Sequence, residues 1–343
     1  MRILLVRTSA MGDVVHTLPV LTALRRSMPQ AKIAWVVESV WARVLDGHPD
    51  IDQLIRVRTK AWRKSWKRGA RTEIQAAVAA MRDFGADVAL DLMGNWKGAA
   101  LARLSGAKRI VGAGSADRRE GSSVLLLPET ISARGIHAVD RALSLLGALS
   151  IVPGRPDFGP DRLLAGAPPE ADALLADLDR PLVLMLLGAG WANKTWPLPW
   201  WAEVATELTE RGYAVWLPTA PGEEAMAAEV EATSGGDARP VDATDFRIFA
   251  ALSRRARLVI GGDTGPLHLA HALDAPVLCL IGPTEPDRNG PYGAPDRVLF
   301  HRLPCSGCYK RFDGPRACLL SITPRRVTDR AVELLESAPP APA

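Results

Sequence analysis

The sequence contains few cysteines, no long apolar run and no repeat of short period. Four cysteines among 343 residues are too few for a disulfide framework, and a chain long enough for two domains of ~150 residues does not need one. No apolar stretch reaches the ~18 residues that a membrane-spanning helix requires. The apolar run near the N-terminus has four residues between Arg2 and Arg7, which is too short for the core of a signal peptide. We therefore expect a reduced, cytoplasmic protein.

The charge is modest in total but unevenly distributed. Apolar residues make up 48% of the chain, charged residues 23%, and the net charge is +4, which excludes wholesale disorder. Residues 56–71 contain eight Lys or Arg, and no acidic residue occurs from 55 to 72. Trp62 and Trp66 lie within this basic segment, so it could bind an acidic acceptor, an anionic membrane surface or nucleic acid. No zinc-finger or RNP motif supports nucleic acid.

The hydrophobic pattern predicts an α/β protein. Short β-branched or Leu-rich runs alternate with longer amphipathic stretches, as in parallel sheets covered by helices. A segment rich in Pro and Gly near the middle of the chain indicates a linker. We predict two Rossmann-like domains, residues 1–155 and 181–330, with a linker at 156–180 and a C-terminal tail at 331–343. Ligands of such sheets bind at the carboxyl ends of the strands.

The predicted elements follow from the same pattern. Strands are predicted at residues 3–6, 33–37, 53–57, 88–91, 109–111, 183–187, 214–217, 258–260 and 277–281. Helices are predicted at residues 20–27, 72–84, 138–149, 199–210, 225–233, 245–254 and 328–337.

A loop of small residues follows the first predicted strand and enters a helix that starts between Asp13 and Pro19. Backbone N–H groups and the positive end of the helix dipole are exposed in such a loop. The loop lacks the G-x-G-x-x-G spacing, which argues against a nucleotide-dependent oxidoreductase. Asp13 can cap the helix, or it can accept a proton from a substrate hydroxyl at an interdomain cleft. His16 is a second candidate base.

The most specific motif is residues 261–268, which follows a predicted strand directly and contains three glycines. Glycines permit close backbone approach, and the Thr264 hydroxyl and nearby amides could cradle a phosphate at the start of the next helix. Because Asp263 is negatively charged, it suits loop orientation or sugar hydroxyls better than direct phosphate contact. The motif therefore indicates a binding loop rather than a plain turn.

Two further loops carry candidate ligand-binding side chains. Lys194 lies in a glycine-containing loop after the predicted strand 183–187, where it could bind a diphosphate or simply be solvated. Glu223 follows another strand, where it could hydrogen-bond ribose hydroxyls or favour the start of the next helix.

Three cysteines, Cys305, Cys308 and Cys318, lie close together in a loop rich in Gly and Pro. Thiols at this spacing could hold a structural Zn or Fe, with His301 or Cys279 as a fourth ligand. Cys279 lies in an apolar strand, which fits a core residue better. The three cysteines are therefore a candidate structural metal site.

Together the motifs resemble glycosyltransferase family 9, the lipopolysaccharide heptosyltransferases, over almost the whole chain. The resemblance rests on residues 1–19, the Trp62-Arg63-Lys64-Ser65-Trp66 segment, the Lys194-Thr195-Trp196-Pro197 turn, residues 263–268 and residues 282–284. Within the family, the basic segment points to the first heptose transfer, onto Kdo-lipid A.

The resemblance implies a GT-B architecture of two Rossmann-like domains that face a central cleft. It implies transfer of L-glycero-D-manno-heptose from ADP-heptose to Kdo of the inner core, with inversion and without a catalytic cofactor. By match to the family motifs, Asp13 is the general base. The donor-binding residues are Gly188, Lys194, Glu223, Asp263, Thr264, Gly265 and His268. The acceptor-binding residues are Ser9, Gly12, Lys60, Arg63 and Lys64.

Two departures from the family pattern concern the acceptor more than the donor. Gly188 and Ala189 stand where first-heptose enzymes carry hydroxyl residues, so backbone amides would contact phosphate there. The cysteine loop is closer to other members, some of which bind iron. The expected partners are ADP-heptose, an anionic glycolipid and the inner leaflet of the inner membrane, contacted peripherally at its cytoplasmic face, and not nucleic acid. The alternatives are a family 9 enzyme with another acceptor and a noncatalytic anion- or nucleic-acid-binding protein.

Overall fold

The computed structural model describes residues 1–64, 68–176 and 178–337. The chain divides into two compact units, Met1–Leu164 and Ala165–Ala343, and the division falls inside the predicted linker. Within the described residues each unit has one six-stranded sheet whose neighbouring strands are all parallel. The predicted α/β class with two Rossmann-like sheets is confirmed. The finer domain limits stay a prediction.

The first unit alternates strands and helices along most of its length. Its strands are β1 (Arg2–Val6), β2 (Lys32–Glu38), β3 (Gln53–Val57), β4 (Val88–Asp91), β5 (Arg109–Ala113) and β6 (Glu129–Ile131). Its helices are α1 (Met11–Val15), α2 (Leu18–Ser27), α3 (Ser39–Ala42), α4 (Thr59–Lys64), α5 (Arg68–Phe84), α6 (Trp96–Leu104) and α7 (Ala138–Leu143). Short 3-10 segments lie at Ser115–Asp117, Gly121–Leu126 and Ser144–Leu149.

The second unit repeats this plan. Its strands are β7 (Leu182–Leu186), β8 (Ala214–Thr219), β9 (Ala238–Asp242), β10 (Leu258–Gly262), β11 (Val277–Ile281) and β12 (Val298–Phe300). Its helices are α8 (Pro169–Ala176), α9 (Leu198–Glu210), α10 (Glu224–Thr233), α11 (Phe246–Arg255), α12 (Gly265–Ala272), α13 (Pro286–Asn289), α14 (Ala317–Leu320) and α15 (Pro324–Ser337). Single 3-10 turns lie at Ala192–Lys194 and Pro295–Arg297.

The central strands form the core of each unit. In β1, β7 and β10 the apolar side chains are almost fully excluded from solvent, which is why these strands are continuous apolar runs rather than alternating ones. In the second unit, Trp196 packs edge-on against Trp201 with ring centroids 5.0 Å apart. These buried aromatic rings hold α9 and the loop before it against the sheet.

The strand order of each sheet determines which loops are expected to bind ligands. The first sheet has the order β3-β2-β1-β4-β5-β6, and the second has the order β12-β11-β10-β7-β8-β9. In the first sheet, successive strands extend the sheet to one side of β1 as far as β3, and the later strands extend it to the other side from β4 onwards. The second sheet has the corresponding change of side between β7 and β10. Ligands of doubly wound sheets bind beyond the carboxyl ends of the strands at such switch points. The loops after these four strands are thus the expected site loops.

Several predicted boundaries differ from the structure. The first helix begins at Met11, before the predicted start between Asp13 and Pro19. The predicted helix 138–149 is α-helical only to Leu143 and continues as a 3-10 segment. Residues 331–337 of the predicted tail belong to α15, because their apolar side chains pack on the second core. Residues 338–343 lie outside the described residues.

Across residues 1–64, 68–176 and 178–337, none of the helices combines the length and apolar character that crossing a membrane requires.

Candidate active site

Asp263 is the centre of a hydrogen-bonded group at the carboxyl edge of the second sheet. It follows β10, and its side chain is only 7% exposed. Lys194 Nζ lies 2.6 Å from Asp263 Oδ2, and the Thr284 hydroxyl donates to the same oxygen over 2.6 Å. His268 Nε2 lies 3.0 Å from Oδ1. Both carboxylate oxygens therefore have partners. Of the four residues in this group, all except Thr284 are ones that the sequence assigns to donor binding.

The charge state of Asp263 follows from these contacts. Burial acts to raise its pKa, but the hydrogen bond with His268 and the charge of Lys194 outweigh burial and hold the pKa well below its usual range. The carboxylate is ionised and fixes the Lys194 ammonium, which also donates to the Asp263 carbonyl over 3.1 Å. The ammonium lies 4.8 Å from the Trp191 ring centroid, and the Arg311 guanidinium lies 4.7 Å from the same ring.

Thr264 and Gly265 form the N-terminus of α12 beside this group. Thr264 is buried, makes no capping hydrogen bond, and its hydroxyl has no hydrogen-bond partner in the described part of the chain. The first amides of a helix have no partner within the helix, and they attract anions. A Cβ at Gly262 would lie 3.2 Å from the Lys194 carbonyl, so glycine permits the close approach of the two loops. The arrangement can bind an anion such as a phosphate.

Gly188 and Glu223 meet at the same sheet edge. A Cβ at Gly188 would overlap the Glu223 carboxyl group, so the absence of a side chain there is what makes room for Glu223. Glu223 Oε2 accepts from the Ala220 amide over 3.0 Å. Burial raises the pKa of Glu223, and the Ala220 hydrogen bond partly opposes that shift. Glu223 also precedes α10, as its helix-start interpretation predicted. The sequence indicated both residues but not their contact.

Asp13 lies on α1, at the carboxyl edge of the first sheet. The Ala10 amide donates to its Oδ2 over 3.1 Å, so the helix-capping interpretation holds in part. Arg7 Nη2 lies 3.3 Å from Oδ1, and Arg7 Nε donates to the Asp13 carbonyl over 3.2 Å. The Asp13 side chain is still 46% exposed, and the carboxylate can therefore accept a proton from a bound substrate.

His16 is placed as a core residue rather than as a base. It is buried, and its ring packs edge-on against His137 with centroids 5.2 Å apart. Gly12 lies within α1, one residue before Asp13.

Three of the predicted acceptor-binding residues, Ser9, Lys60 and Arg63, lie near a lysine that the sequence analysis missed. Lys97, at the start of α6, donates to the Ser9 hydroxyl over 3.2 Å. Lys60 and Arg63 are exposed on α4, and their charges act on Lys97. The side chain of Lys64 and the whole of Ser65, Trp66 and Lys67 lie outside the described residues. The signal for Lys97 was its position at the start of the helix that follows β4, one of the switch-point strands.

The candidate structural metal site is not supported. Cys305 is exposed, Cys308 is half-buried and Cys318 is buried. Within the described ranges, no three His, Cys, Asp or Glu side chains form a group that could hold a metal ion. Of the two candidates for a fourth ligand, His301 and Cys279, the cysteine is a core residue of β11, and burial raises the pKa of its thiol well above the ordinary value.

Comparison with known proteins extends over most of the chain. Residues 75–315 match the family model of glycosyltransferase family 9 (heptosyltransferase). Lipopolysaccharide heptosyltransferase 1 of Pseudomonas aeruginosa is 34% identical over 317 residues, covering 91% of this chain and 87% of that protein. The protein of the same name in Escherichia coli strain K12 is 32% identical over 302 residues, covering 85% and 91%.

A solved structure gives the same result for the fold. The structure of E. coli heptosyltransferase WaaC with ADP-2-deoxy-2-fluoro heptose is 28% identical in sequence, with a TM-score of 0.78. The likeness covers 97% of this chain and 99% of that one. The two Rossmann-like units therefore have the GT-B fold class, and the resemblance inferred from the motifs is confirmed. The chain is a glycosyltransferase that belongs to family 9, the heptosyltransferase family.

Proposed function

We propose that this enzyme transfers L-glycero-D-manno-heptose from ADP-heptose to Kdo of Kdo-lipid A, with inversion at the anomeric carbon. Two relatives that are 34% and 32% identical bear the name heptosyltransferase 1. The similar WaaC structure is one with ADP-2-deoxy-2-fluoro heptose, an analogue of ADP-heptose. These likenesses support the donor and the acceptor, and the two sheet edges supply the groups that the reaction needs.

The observation that carries the proposal is the group of Lys194, Asp263 and Thr264 at the start of α12. The Lys194 ammonium, the helix amides and the unpartnered Thr264 hydroxyl suit the two phosphates of ADP. They would stabilise the charge that develops on ADP as it leaves. Glu223, held beside Gly188, would accept hydrogen bonds from the ribose hydroxyls. Lys194 and α12 thus supply the positive charge that a divalent metal supplies in other phosphate-leaving reactions.

Asp13 would serve as the general base. A Kdo hydroxyl oxygen bonds to the anomeric carbon while the bond from that carbon to the diphosphate oxygen breaks. The hydroxyl proton passes to the Asp13 carboxylate, and ADP leaves with the electron pair. Arg7 and the Ala10 amide hold the carboxylate in one orientation and leave it 46% exposed to receive that proton.

The acceptor is an anionic glycolipid, and the first unit offers cations for it. Lys60 and Arg63 are exposed on α4 and would bind acidic groups of the acceptor. The same basic segment would hold the enzyme peripherally at the cytoplasmic face of the inner membrane, since anionic lipids attract clustered Lys and Arg.

Exchange of Asp13 for asparagine tests the activity and the base together. Asp13→Asn keeps the side-chain shape but cannot take the proton, so heptosylated product should form with the wild type and not with this variant. The measurement is mass spectrometry after incubation with ADP-heptose and Kdo-lipid A. Asp46→Asn is the matched control, because Asp46 is also 46% exposed and also pairs with an arginine, Arg56.

Each other result has a distinct meaning. Equal turnover by the Asp13 variant would remove Asp13 from the mechanism. Absence of transfer by the wild type would refute the proposed donor and acceptor pair. Transfer only to an acceptor that already carries heptose would replace Kdo as the acceptor.

A further inference from the structure

Lys97 lies in a partly enclosed position at the switch point of the first sheet. It is the second residue of α6, which follows β4, and β4 pairs with β1. Its ammonium is 3.2 Å from the Ser9 hydroxyl and 3.3 Å from the Thr59 hydroxyl. Its side chain is 33% exposed, so the ammonium is neither free in solvent nor part of the core.

The charge of Lys97 is incompletely compensated. The nearest carboxylate oxygen, Glu38 Oε1, is 3.9 Å away, which is beyond hydrogen-bond distance. That oxygen accepts a hydrogen bond from Thr59 instead. In the described part of the chain, two neutral hydroxyls are the hydrogen-bond partners of the ammonium. A hydroxyl satisfies an ammonium less well than an anion does, so the position favours an incoming anion.

Two more cations lie close enough for their charges to act on Lys97. Burial lowers the pKa of Lys97, the Glu38 charge opposes that shift, and the charges of Lys60 and Arg63 add to it. Three cations thus act at one place against the single buried carboxylate of Glu38. An anion bound there would relieve the repulsion among the cations.

Lys97 is also next to the structure that holds Asp13. Its partner Ser9 is joined by a peptide bond to Ala10, and the amide of that bond donates to Asp13 Oδ2 over 3.1 Å. An anionic group held by Lys97 would therefore lie beside the loop that presents the base. A reacting hydroxyl on the same sugar as that anionic group would then be carried towards Asp13.

We propose that Lys97 binds the carboxylate of the acceptor Kdo and thereby selects an acidic sugar as acceptor. The assignment rests on the proposed function. Kdo carries its carboxylate on the same sugar as the reacting hydroxyl, whereas the lipid A phosphates lie on other sugars and suit the more exposed Lys60 and Arg63. A neutral heptose has no group that could replace the carboxylate, so Lys97 discriminates between acceptors.

The test combines a change in the enzyme with a change in the acceptor. Initial rates are measured with Kdo-lipid A and with its Kdo methyl ester, for wild type, Lys97→Met, Lys97→Arg and Lys108→Met. Lys108 is the matched control, because it is 78% exposed, pairs with Asp87 and precedes β5 at the opposite edge of the sheet. Thermal unfolding of each variant reports whether the fold is retained.

We expect Lys97→Met to lower kcat/KM for Kdo-lipid A about 10- to 100-fold, the range for a lost charge-assisted hydrogen bond. KM for ADP-heptose should stay unchanged. With the wild type, kcat/KM for the methyl ester should be lower than for Kdo-lipid A by a similar factor. With Lys97→Met, the methyl ester should lower kcat/KM little further, because each change removes the same interaction. Lys97→Arg should retain part of the activity, and Lys108→Met should behave as wild type.

Three results would overturn the assignment. Equal losses by Lys97→Met on both acceptors would mean that Lys97 does not contact the carboxylate. A lower kcat and a displaced pH profile, with acceptor KM unchanged, would mean that Lys97 acts on Asp13. A wild type that transfers no heptose to Kdo-lipid A would refute the proposed function and this assignment with it, whereas the first two results would leave the proposed function intact.

Discussion

Asp263 shows how a buried carboxylate can fix the position of a cation. Its oxygens contact Lys194, His268 and Thr284, and its side chain is 7% exposed. Because Asp263 is ionised and enclosed, the Lys194 ammonium cannot swing to solvent without leaving a buried charge unpaired. The lysine is therefore oriented before substrate binds, which is the condition for strong electrostatic stabilisation of a leaving group.

Replacement of Lys194 tests this role at the scale of one residue. Lys194→Gln should lower kcat by about 100- to 1000-fold, as loss of one preorganised electrostatic donor does in other enzymes. The measurement is steady-state release of ADP, with Arg325→Gln as the control because Arg325 is 89% exposed on α15. A variant that retains a folded melting transition and loses less than threefold in kcat would show that Lys194 does not stabilise the departing ADP.

At the scale of elements, the loops after β7 and β8 depend on each other. Gly188 follows β7, Glu223 precedes α10, and the two residues are close enough that a Cβ on the glycine would displace the carboxylate. Register between β7 and β8 sets this approach, since the strands are hydrogen-bonded neighbours. The loop glycine therefore acts through the position of Glu223 as well as through its own backbone.

A double-mutant cycle can separate these two effects. Gly188→Ala should raise KM for ADP-heptose about 5- to 150-fold, corresponding to the ~1–3 kcal/mol that overpacking costs. In a Glu223→Ala background the same exchange should cost little, because the obstructing carboxyl group is gone. Gly190→Ala is the control, since a Cβ there would meet nothing within 4 Å. Additive losses in the cycle would contradict the proposed coupling of the two loops.

Sequence reasoning succeeded where local patterns decide the structure. The predicted strands at 53–57, 88–91 and 277–281 coincide with β3, β4 and β11. The missed strands β6, β9 and β12 lie at or near sheet edges, and β9 carries Arg239 and Pro240 in its centre. β6 and β12 have only three residues each, and the polar residue and proline of β9 interrupt its apolar pattern, so only pairing with a neighbour reveals these strands.

The residues of the candidate site could be proposed from the sequence where local patterns mark them, and not where they depend on distant contacts. Asp263, Thr264 and Lys194 lie in loops whose glycines are visible in the sequence. Lys97 was missed because a lysine at a helix start is typical of a solvated position. Its contact with Ser9 joins residues that are 88 positions apart, and no local pattern encodes such a contact.

At the scale of the whole first unit, an internal charge network joins distant segments of the chain. Asp50 has a side chain that is 7% exposed, and it pairs with Arg162 over 2.7 Å and with Arg25 over 3.6 Å. His48 is buried beside it and accepts from the Asp50 amide at Nδ1 over 3.2 Å. Burial lowers the pKa of His48 to about 4, with Asp50 opposing and Arg162 adding to that shift. The folded unit thus holds this imidazole neutral.

This arrangement predicts a loss of stability in mild acid. The unfolded chain takes up a proton at His48 as the pH falls through 6.5, whereas the folded unit resists protonation until about pH 4. The free energy of unfolding should therefore be undiminished above pH 6.5 and should fall between pH 6.5 and 4, by about 3 kcal/mol at most from this group. Denaturant unfolding at pH 7.5 and 4.5 measures the change in the free energy of unfolding. His48→Gln should remove the contribution of His48 from the slope of that free energy against pH. His301→Gln, in the other unit, should keep it. An unchanged slope in His48→Gln would place the acid sensitivity elsewhere, since proton uptake on unfolding is the only route by which this histidine can produce it.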